Sequence, residues 1–456
     1  MDAIATTESA VARLVEQTDY ATGLDMPFAE IRDLQIAAMN ERLQQQIGDI
    51  RLVKLRAEDA GINEIASFED VAPLLLPHTV YKSYPESFLR LSKWDKLTKW
   101  LGTMSTASFD TFDLDGIGDI DEWVERLADA GHFLSCSSGT TGNPALLLSN
   151  RCDVEFASAN LARSALWATE LQPLKDRTMF AFAVQTQTPK GKLQLGGLAN
   201  AFLNPDSTPF RFPVPAITIG SIMRMITLRK AVADGTASPS EIAEYDSESA
   251  TRQKLVDEAV GKSADALIAA REKKLYITGM WSQLFAVANE VRKRGYSAKD
   301  FHPENCLVQA GGLKGAVLPD DFRETIYSTL NITPEYLFQF YSMQEIQTTM
   351  SKCREGGRYH IPPSLVCLPL DKDGEKLLPG VGEGRVEGRA AFFDLSVEGR
   401  WGGIISGDKI EVDYGPCVCG ARSPSIADNI ARFKDLEGDD KITCSGTLDA
   451  YVRGVG

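Results

Sequence analysis

Residues 135–144 read SCSSGTTGNP, a run in which hydroxyl side chains and glycines lie between two apolar segments. Gly139 and Gly142 allow backbone conformations that bring N–H groups close to an anion. Short uncharged donors accompany them at Ser137, Ser138, Thr140 and Thr141. The run contains no lysine and is therefore not a Walker A loop. It predicts a loop that binds phosphate through backbone and hydroxyl groups, the alternative being an ordinary turn.

This run resembles the phosphate loop of the adenylate-forming superfamily, usually written S-S/T-G-T-T-G-x-P. In that family the loop binds the pyrophosphate portion of ATP while a carboxylate attacks the α-phosphate. The resemblance therefore implies an ATP-dependent ligase that converts a carboxylic acid to an acyl-adenylate. Asn143 follows the second glycine, where many members of the family carry lysine.

Residues 341–345, YSMQE, are similar to the Y-G-x-x-E segment of the same family. The resemblance implies that Tyr341 lies on the adenine and that Glu345 helps to hold Mg²⁺ near the phosphates. An aromatic face suits a base, and a carboxylate suits a hard cation. Ser342 replaces the usual glycine, and Gln344 replaces a common Thr or Ser.

Three further positions follow from the resemblance. Residues 403–408, GIISGD, resemble the R-T-G-D segment, which implies that Asp408 accepts hydrogen bonds from the ribose hydroxyls. Arg432 lies in a segment similar to the I-x-G-R-x-D hinge and would contact ribose or the α-phosphate, or else be a solvated surface arginine. Gly311 and Gly312 would line the mouth of the acyl pocket.

Four residues with metal-binding side chains occur in the last quarter of the chain: Cys353, His360, Cys417 and Cys419. Three thiolates and one imidazole complete a tetrahedral set for structural zinc, and free buried thiols are the alternative. Their order is similar to the C…H…C-x-C pattern of phenylacetate-CoA ligase-like enzymes. That branch implies an aromatic acid as substrate and CoA as acceptor.

Strands alternating with helices predict an α/β fold with mainly parallel sheets flanked by helices. We expect residues 1–432 to form a multi-lobed large domain of the adenylate-forming type. Its parts would be a helical region over 1–130, nucleotide-binding lobes over 131–350 and a small β-rich, zinc-containing lobe over 351–432. A basic turn is predicted at Pro189–Lys192.

The composition restricts the partners of this 456-residue chain. A formal charge of −15 argues against binding to nucleic acid or acidic membranes. The acidic start, the lack of a long apolar run and the dispersed cysteines predict a cytoplasmic location with reduced thiols. A small carboxylic acid is the expected substrate. The sequence leaves open whether the protein forms a homo-oligomer.

Residues 433–456 are expected to be a hinge remnant, because they are too few for the small C-terminal lid that usually follows in this family. Three accounts remain for the lid: the chain is a piece of a longer protein, a partner subunit supplies it, or the acceptor is not CoA. The third account is suggested by Cys444, which lies near Lys441 in the sequence. Cys444 resembles the acyl-carrying cysteine of acyl-protein synthetases in luminescence systems. A lone structural cysteine is the alternative, and a regulatory module that keeps the nucleotide site is a contrasting function.

Overall fold

The computed structural model describes residues 9–136, 143–183, 188–310 and 316–437. These residues form two compact units. Unit 1 comprises residues 9–136, 143–160 and 342–437, and unit 2 comprises residues 161–183, 188–310 and 316–341. The predicted lobe boundaries near residues 131, 351 and 433 stay a prediction.

The helices lie mainly in the first three quarters of the chain. They are α1 (Ala10–Ala12), α2 (Tyr20–Leu24), α3 (Phe28–Gln46), α4 (Arg51–Ala60), α5 (Glu86–Arg90), α6 (Trp94–Gly102), α7 (Ile120–Asp129), α8 (Arg151–Ala168), α9 (Pro189–Gln194), α10 (Gly196–Phe202), α11 (Ile219–Ala233), α12 (Pro239–Ala269), α13 (Trp281–Lys293), α14 (Phe322–Leu330) and α15 (Phe433–Glu437). None of the helices within the described ranges is long and apolar enough to span a bilayer.

The strands are concentrated in the middle and in the last quarter. They are β1 (Leu76–Pro77), β2 (Phe133–Cys136), β3 (Leu146–Ser149), β4 (Thr178–Phe182), β5 (Phe210–Arg211), β6 (Leu275–Gly279), β7 (Cys306–Ala310), β8 (Leu337–Tyr341), β9 (Met350–Ser351), β10 (Tyr359–His360), β11 (Leu365–Cys367), β12 (Arg385–Asp394), β13 (Gly403–Asp413), β14 (Ser425–Ile426) and β15 (Ala431–Arg432).

Unit 2 is built on a parallel sheet in the order β5-β4-β6-β7-β8. Alternate residues of each strand face opposite sides, so both faces must be covered by helices. Ile277 and Leu307 are buried on the face that carries α13 and α14. Tyr276 and Phe338 are buried on the other face, against α8 and α10. The predicted α/β class with parallel strands is confirmed for this unit.

The larger sheet of unit 1 is mostly antiparallel, with the order β10-β14-β13-β12-β11 and with β1 and β15 also paired to β13. Strands β12 and β13 form its centre, and their pairing contains a bulge between Arg389 and Ala391. Strand β15 places Arg432 opposite Asp408 in the register. This sheet therefore brings together two site candidates that lie 24 residues apart in the sequence.

The predicted turn at Pro189–Lys192 is wrong, because these residues begin helix α9. Thr188 caps the helix, its side chain accepting a hydrogen bond from the Gly191 N–H. Pro189 then occupies the first turn, where its missing N–H costs nothing. A proline in this position starts a helix as readily as it starts a turn.

Asp394, at the end of β12, fixes the chain that precedes β9. Its fully buried carboxylate accepts hydrogen bonds from the backbone N–H groups of Gln347 (2.7 Å) and Thr348 (2.8 Å). It also accepts from the Thr348 hydroxyl at 3.1 Å and from the Ser396 hydroxyl and N–H at 2.6 and 3.0 Å. The segment immediately after Glu345 is thus held by one buried charge.

We expect Asp394→Asn to lower the free energy of unfolding by about 3 kcal/mol. The amide N–H₂ group would face backbone donors, and the charge-assisted hydrogen bonds would be lost. Urea unfolding followed by tryptophan fluorescence measures the change, with the exposed Asp33→Asn in α3 as the matched control. Equal midpoints for the two variants would contradict the anchoring role of Asp394.

Candidate functional site

The four predicted metal ligands lie together in unit 1. The ligand atoms of Cys353, His360, Cys417 and Cys419 are all within 4.8 Å of one another. The Sγ atoms of Cys353 and Cys417 are 3.7 Å apart, and Cys419 Sγ is 3.3 Å from His360 Nε2. Tetrahedral coordination with Zn–S bonds of about 2.3 Å separates two sulfurs by about 3.8 Å. The side-chain geometry therefore fits a zinc-sized cation.

Two tight turns present the thiols. In the first, Cys353 N–H donates to the Arg358 carbonyl at 3.0 Å; in the second, Cys417 N–H donates to the Ala421 carbonyl at 2.9 Å. Gly356 lies where the turns meet, and a Cβ there would be 2.4 Å from Cys417 Sγ and 3.1 Å from Cys353 Sγ. The absence of a side chain at this position lets the two cysteines approach each other.

His360 is fully buried on β10, which pairs with β14. Burial, with a smaller effect of the Arg358 cation, lowers the pKa of its imidazole to about 4. The ring is therefore neutral at physiological pH, the form that binds metals. Its Nδ1 is 3.3 Å from the Ser423 hydroxyl, which leaves Nε2 to face Cys419.

Burial shifts the pKa of the Cys419 thiol in the opposite direction to that of the His360 imidazole. Burial, more than any other cause, raises its pKa to about 12, so without a cation the group stays protonated. A positive charge among the four ligands would favour the thiolate and reverse this shift. The cluster thus combines a neutral imidazole with a Cys419 thiol whose pKa burial raises.

The ribose and phosphate candidates also meet in unit 1. Arg432 Nε is 3.7 Å from Asp408 Oδ1, across the β13–β15 pair. The Asp408 side chain is 16% exposed and the Arg432 side chain 73%, so this pair contributes little to stability. It presents one acceptor and one cation toward solvent, as contact with a nucleotide requires.

Glu345 lies in a turn between β8 and β9 and is partly exposed. Lys82 lies at the end of the short 3₁₀ helix His78–Lys82. It belongs to a charged group that also contains Glu345, Arg432 and Lys434. Burial lowers the pKa of Lys82, Glu345 raises it, and the Arg432 and Lys434 cations lower it further. The sequence analysis missed Lys82, which no motif marks in the mixed polar and apolar stretch HTVYKSYP of residues 78–85.

The two ends of the predicted phosphate loop are fixed beside this group. Before the loop, the Cys136 carbonyl accepts from Gln344 Nε2 at 3.4 Å. After it, Asn143 Nδ2 donates to the carbonyls of Lys82 (3.2 Å) and Tyr84 (2.8 Å). Asn143 therefore anchors the loop to the backbone at the position where the family often has lysine.

Some predicted residues lie outside the described residues: Ser137, Ser138, Gly139, Thr140, Thr141, Gly142, Gly311, Gly312 and Cys444. Tyr341 is described in unit 2, where it is the last residue of β8 and is partly buried. Their predicted roles stay predictions. Within unit 1 the structure gathers Glu345, Asp408 and Arg432 in one group and the four metal-ligand candidates in another.

No protein-family model and no curated protein matches the chain. Among solved structures, the chain is similar to a 2-hydroxyisobutyryl-CoA ligase in complex with 2-HIB-AMP and CoA in the thioesterification state. The TM-score is 0.54 at 16% identity, over 91% of this chain and 72% of that one. The protein therefore shares the α/β fold of this solved structure, and the predicted fold class is confirmed.

A second solved structure is an acyl-CoA synthetase (AMP-forming)/AMP-acid ligase II-like protein from Dyadobacter fermentans DSM 18053. It aligns with a TM-score of 0.31 and 12% identity over 80% of this chain and 74% of that one. The fold assignment rests on the first structure alone.

We expect Gly356→Ala to destabilise unit 1 by about 1–3 kcal/mol, because the new methyl group would overlap Cys417 Sγ and force the two turns apart. Thermal unfolding measures this, with Gly48→Ala as the control since a Cβ at Gly48 meets nothing within 4 Å. A melting temperature of Gly356→Ala equal to that of Gly48→Ala would show that the cysteines are not packed as described.

Proposed function

We propose that the protein is an ATP-dependent adenylate-forming ligase that activates a carboxylic acid and transfers the acyl group to a thiol. The observation that carries this proposal is the arrangement around residues 137–142. Both ends of this hydroxyl- and glycine-rich run are bonded beside Glu345 and Lys82, and the Asp408–Arg432 pair belongs to the same charged group. The fold supports the same class of reaction.

In the first step, a carboxylate oxygen of the acid attacks the α-phosphorus of ATP, and pyrophosphate leaves. Lys82 and Arg432 would stabilise the charge that develops on the phosphate oxygens. Glu345 would hold Mg²⁺, which when bound neutralises charge on the phosphates. Asp408 would bind the ribose hydroxyls, and Tyr341 would lie against the adenine.

In the second step, a thiolate attacks the acyl carbonyl, the bond to the phosphate oxygen breaks, and AMP leaves. The phenylacetate-CoA ligase-like pattern of cysteines supports an aromatic acid and CoA as the acceptor. A protein cysteine such as Cys444, an amine acceptor or a partner subunit that supplies the lid are the alternatives for this step. The first step is the same in each of them.

We also propose that Cys353, His360, Cys417 and Cys419 hold structural zinc. The four ligands leave no coordination position for substrate, so the ion would stabilise the fold and take no part in the reaction. Free buried thiols fit less well, because all four ligand atoms converge within 4.8 Å of one another.

Pyrophosphate release with ATP, Mg²⁺ and a panel of aromatic, aliphatic and 2-hydroxy acids tests the function. We expect release that depends on one class of acid.

Glu345→Gln should lower the rate by about tenfold or more at limiting Mg²⁺ and raise the Mg²⁺ concentration for half-maximal rate, because the ligand loses its charge. The exposed Glu69→Gln is the matched control. An unchanged Mg²⁺ dependence in Glu345→Gln contradicts its role, and no release together with no saturable ATP binding contradicts the function.

Metal analysis of protein purified without chelators should find about one zinc per chain. Cys417→Ser should lose the metal and lower the melting temperature, because an incomplete ligand set binds zinc poorly. Cys152→Ser is the control, since Cys152 is exposed at the start of α8 and outside the cluster. Zinc-free wild-type protein, or a Cys417→Ser variant that keeps its zinc, would overturn the assignment.

A further inference from the structure

Arg400 is a buried cation that binds the backbone of the turn carrying Glu345. It lies in the loop between β12 and β13, and the residue is 1% exposed. Its Nη2 donates to the Glu345 carbonyl at 2.6 Å and lies 3.4 Å from the Gln344 carbonyl. A charged donor to a carbonyl is stronger than a neutral one, so this contact fixes the orientation of the Glu345 peptide.

Burying the Arg400 guanidinium costs the folded state free energy. Among the described residues, Nε and Nη1 of Arg400 are buried and make no well-formed hydrogen bond, and the hydroxyl of the buried Tyr81 lies close to the guanidinium. Burying a guanidinium with two such donors costs several kcal/mol, and an apolar side chain of similar volume would avoid that cost. The hydrogen bonds that the side chain does make go to the Gln344 and Glu345 carbonyls.

The backbone just before Arg400 is held by the buried carboxylate of Asp153. The Asp153 carboxylate accepts hydrogen bonds from the backbone N–H groups of Glu398 (2.7 Å) and Gly399 (3.1 Å). A Cβ on Gly399 would lie 2.6 Å from both Asn150 N and Asp153 Oδ2, so this approach requires glycine. Burial raises the pKa of the Asp153 carboxyl, and the Arg400 cation opposes that rise.

Other contacts among the described residues restrain the turn on either side of Glu345, including that of Gln344 Nε2 with the Cys136 carbonyl at 3.4 Å. On its C-terminal side, Asp394 holds Gln347 and Thr348. At the turn, Ile346 N–H donates to the Met343 carbonyl at 3.3 Å. Arg400 is the charged group that bonds the Glu345 peptide, and the direction of the Glu345 side chain follows from the orientation of its backbone.

We propose that Arg400 is a positioning residue, which holds the Gln344–Glu345 turn so that the Glu345 carboxylate is aimed at the cation of the nucleotide phosphates. This inference rests on the proposed function and assigns a role to a buried residue outside the set proposed to bind nucleotide or metal. A purely structural role predicts that removing Arg400 lowers stability and changes nothing else. The positioning role predicts a specific change in Mg²⁺ dependence.

Arg42 provides a matched control. It is also buried, at 7% exposure, and its Nε donates to the Leu395 carbonyl at 2.9 Å while Nη2 meets Glu398 at 3.4 Å. It therefore supports the same loop between β12 and β13 from another side. It makes no hydrogen bond to Gln344 or Glu345 among the described contacts.

The experiment compares Arg400→Met, Arg400→Lys and Arg42→Met. We expect Arg400→Met to raise the Mg²⁺ concentration for half-maximal pyrophosphate release about tenfold, which corresponds to about 1.4 kcal/mol. Arg400→Lys should recover part of this, since an ammonium can bond one carbonyl. Arg42→Met should lower the melting temperature without moving the Mg²⁺ dependence. Hydrogen–deuterium exchange over residues 343–348 without ligands should be faster in Arg400→Met and unchanged in Arg42→Met.

Unchanged Mg²⁺ dependence in both Arg400 variants overturns the inference, and so does an equal shift in Arg42→Met. If Arg400→Met does not fold, Arg400→Lys carries both measurements. If the wild type neither releases pyrophosphate with any acid nor binds ATP saturably, the proposed function fails. The exchange rates then decide separately whether Arg400 orders the turn, and unchanged exchange in Arg400→Met shows that it does not.

Discussion

Unit 1 depends on buried charges that bind backbone groups. Asp394 gathers the N–H groups of residues 347, 348 and 396, and Asp153 gathers those of residues 398 and 399. Irregular segments cannot satisfy their own backbone groups, so they are buried only where a side chain supplies the partner. These two carboxylates allow the chain around residues 344–349 and 394–400 to leave regular structure while staying fixed. The candidate site is built on those segments.

The need of buried backbone groups for side-chain partners also explains why charged residues with different roles lie close together. Groups that hold the backbone, such as Asp394, are fully buried, whereas Arg432 is mostly exposed and Asp408 partly so. The hydrogen bonds of the Asp394 carboxylate offset its desolvation, whereas Arg400 is buried with two donors that make no well-formed hydrogen bond. An exposed charge remains available for a ligand. Burial thus separates the residues that build the site from those that would meet the nucleotide. In the metal-ligand cluster, His360 and Cys353 are buried, and Cys417 and Cys419 are partly buried.

The sequence predicts the α/β class, the helix at Trp281–Lys293 and the strands at the centre of unit 2, because local periodicity determines these. It also selects the four metal-ligand candidates, because cysteine and histidine are few and their side chains carry distinctive chemistry. It does not predict Lys82, Asp153 or Arg400. Their roles depend on contacts such as that between Asp153 and Glu398, which lie 245 residues apart. No periodic pattern marks such a contact, and helix α9 was missed because proline begins both turns and helices.

The central claim is that a carboxylate oxygen attacks the α-phosphorus of ATP. The direct measurement is a reaction with an accepted acid labelled with ¹⁸O in both carboxyl oxygens, followed by mass spectrometry of the nucleotide after transfer to the thiol. Attack at the α-phosphorus places one ¹⁸O in AMP, because the C–O bond breaks when the thiolate displaces the phosphate. We predict AMP heavier by the one labelled oxygen and unlabelled pyrophosphate. Label in inorganic phosphate with ADP as the nucleotide product would contradict the account, since it would mean attack at the γ-phosphorus.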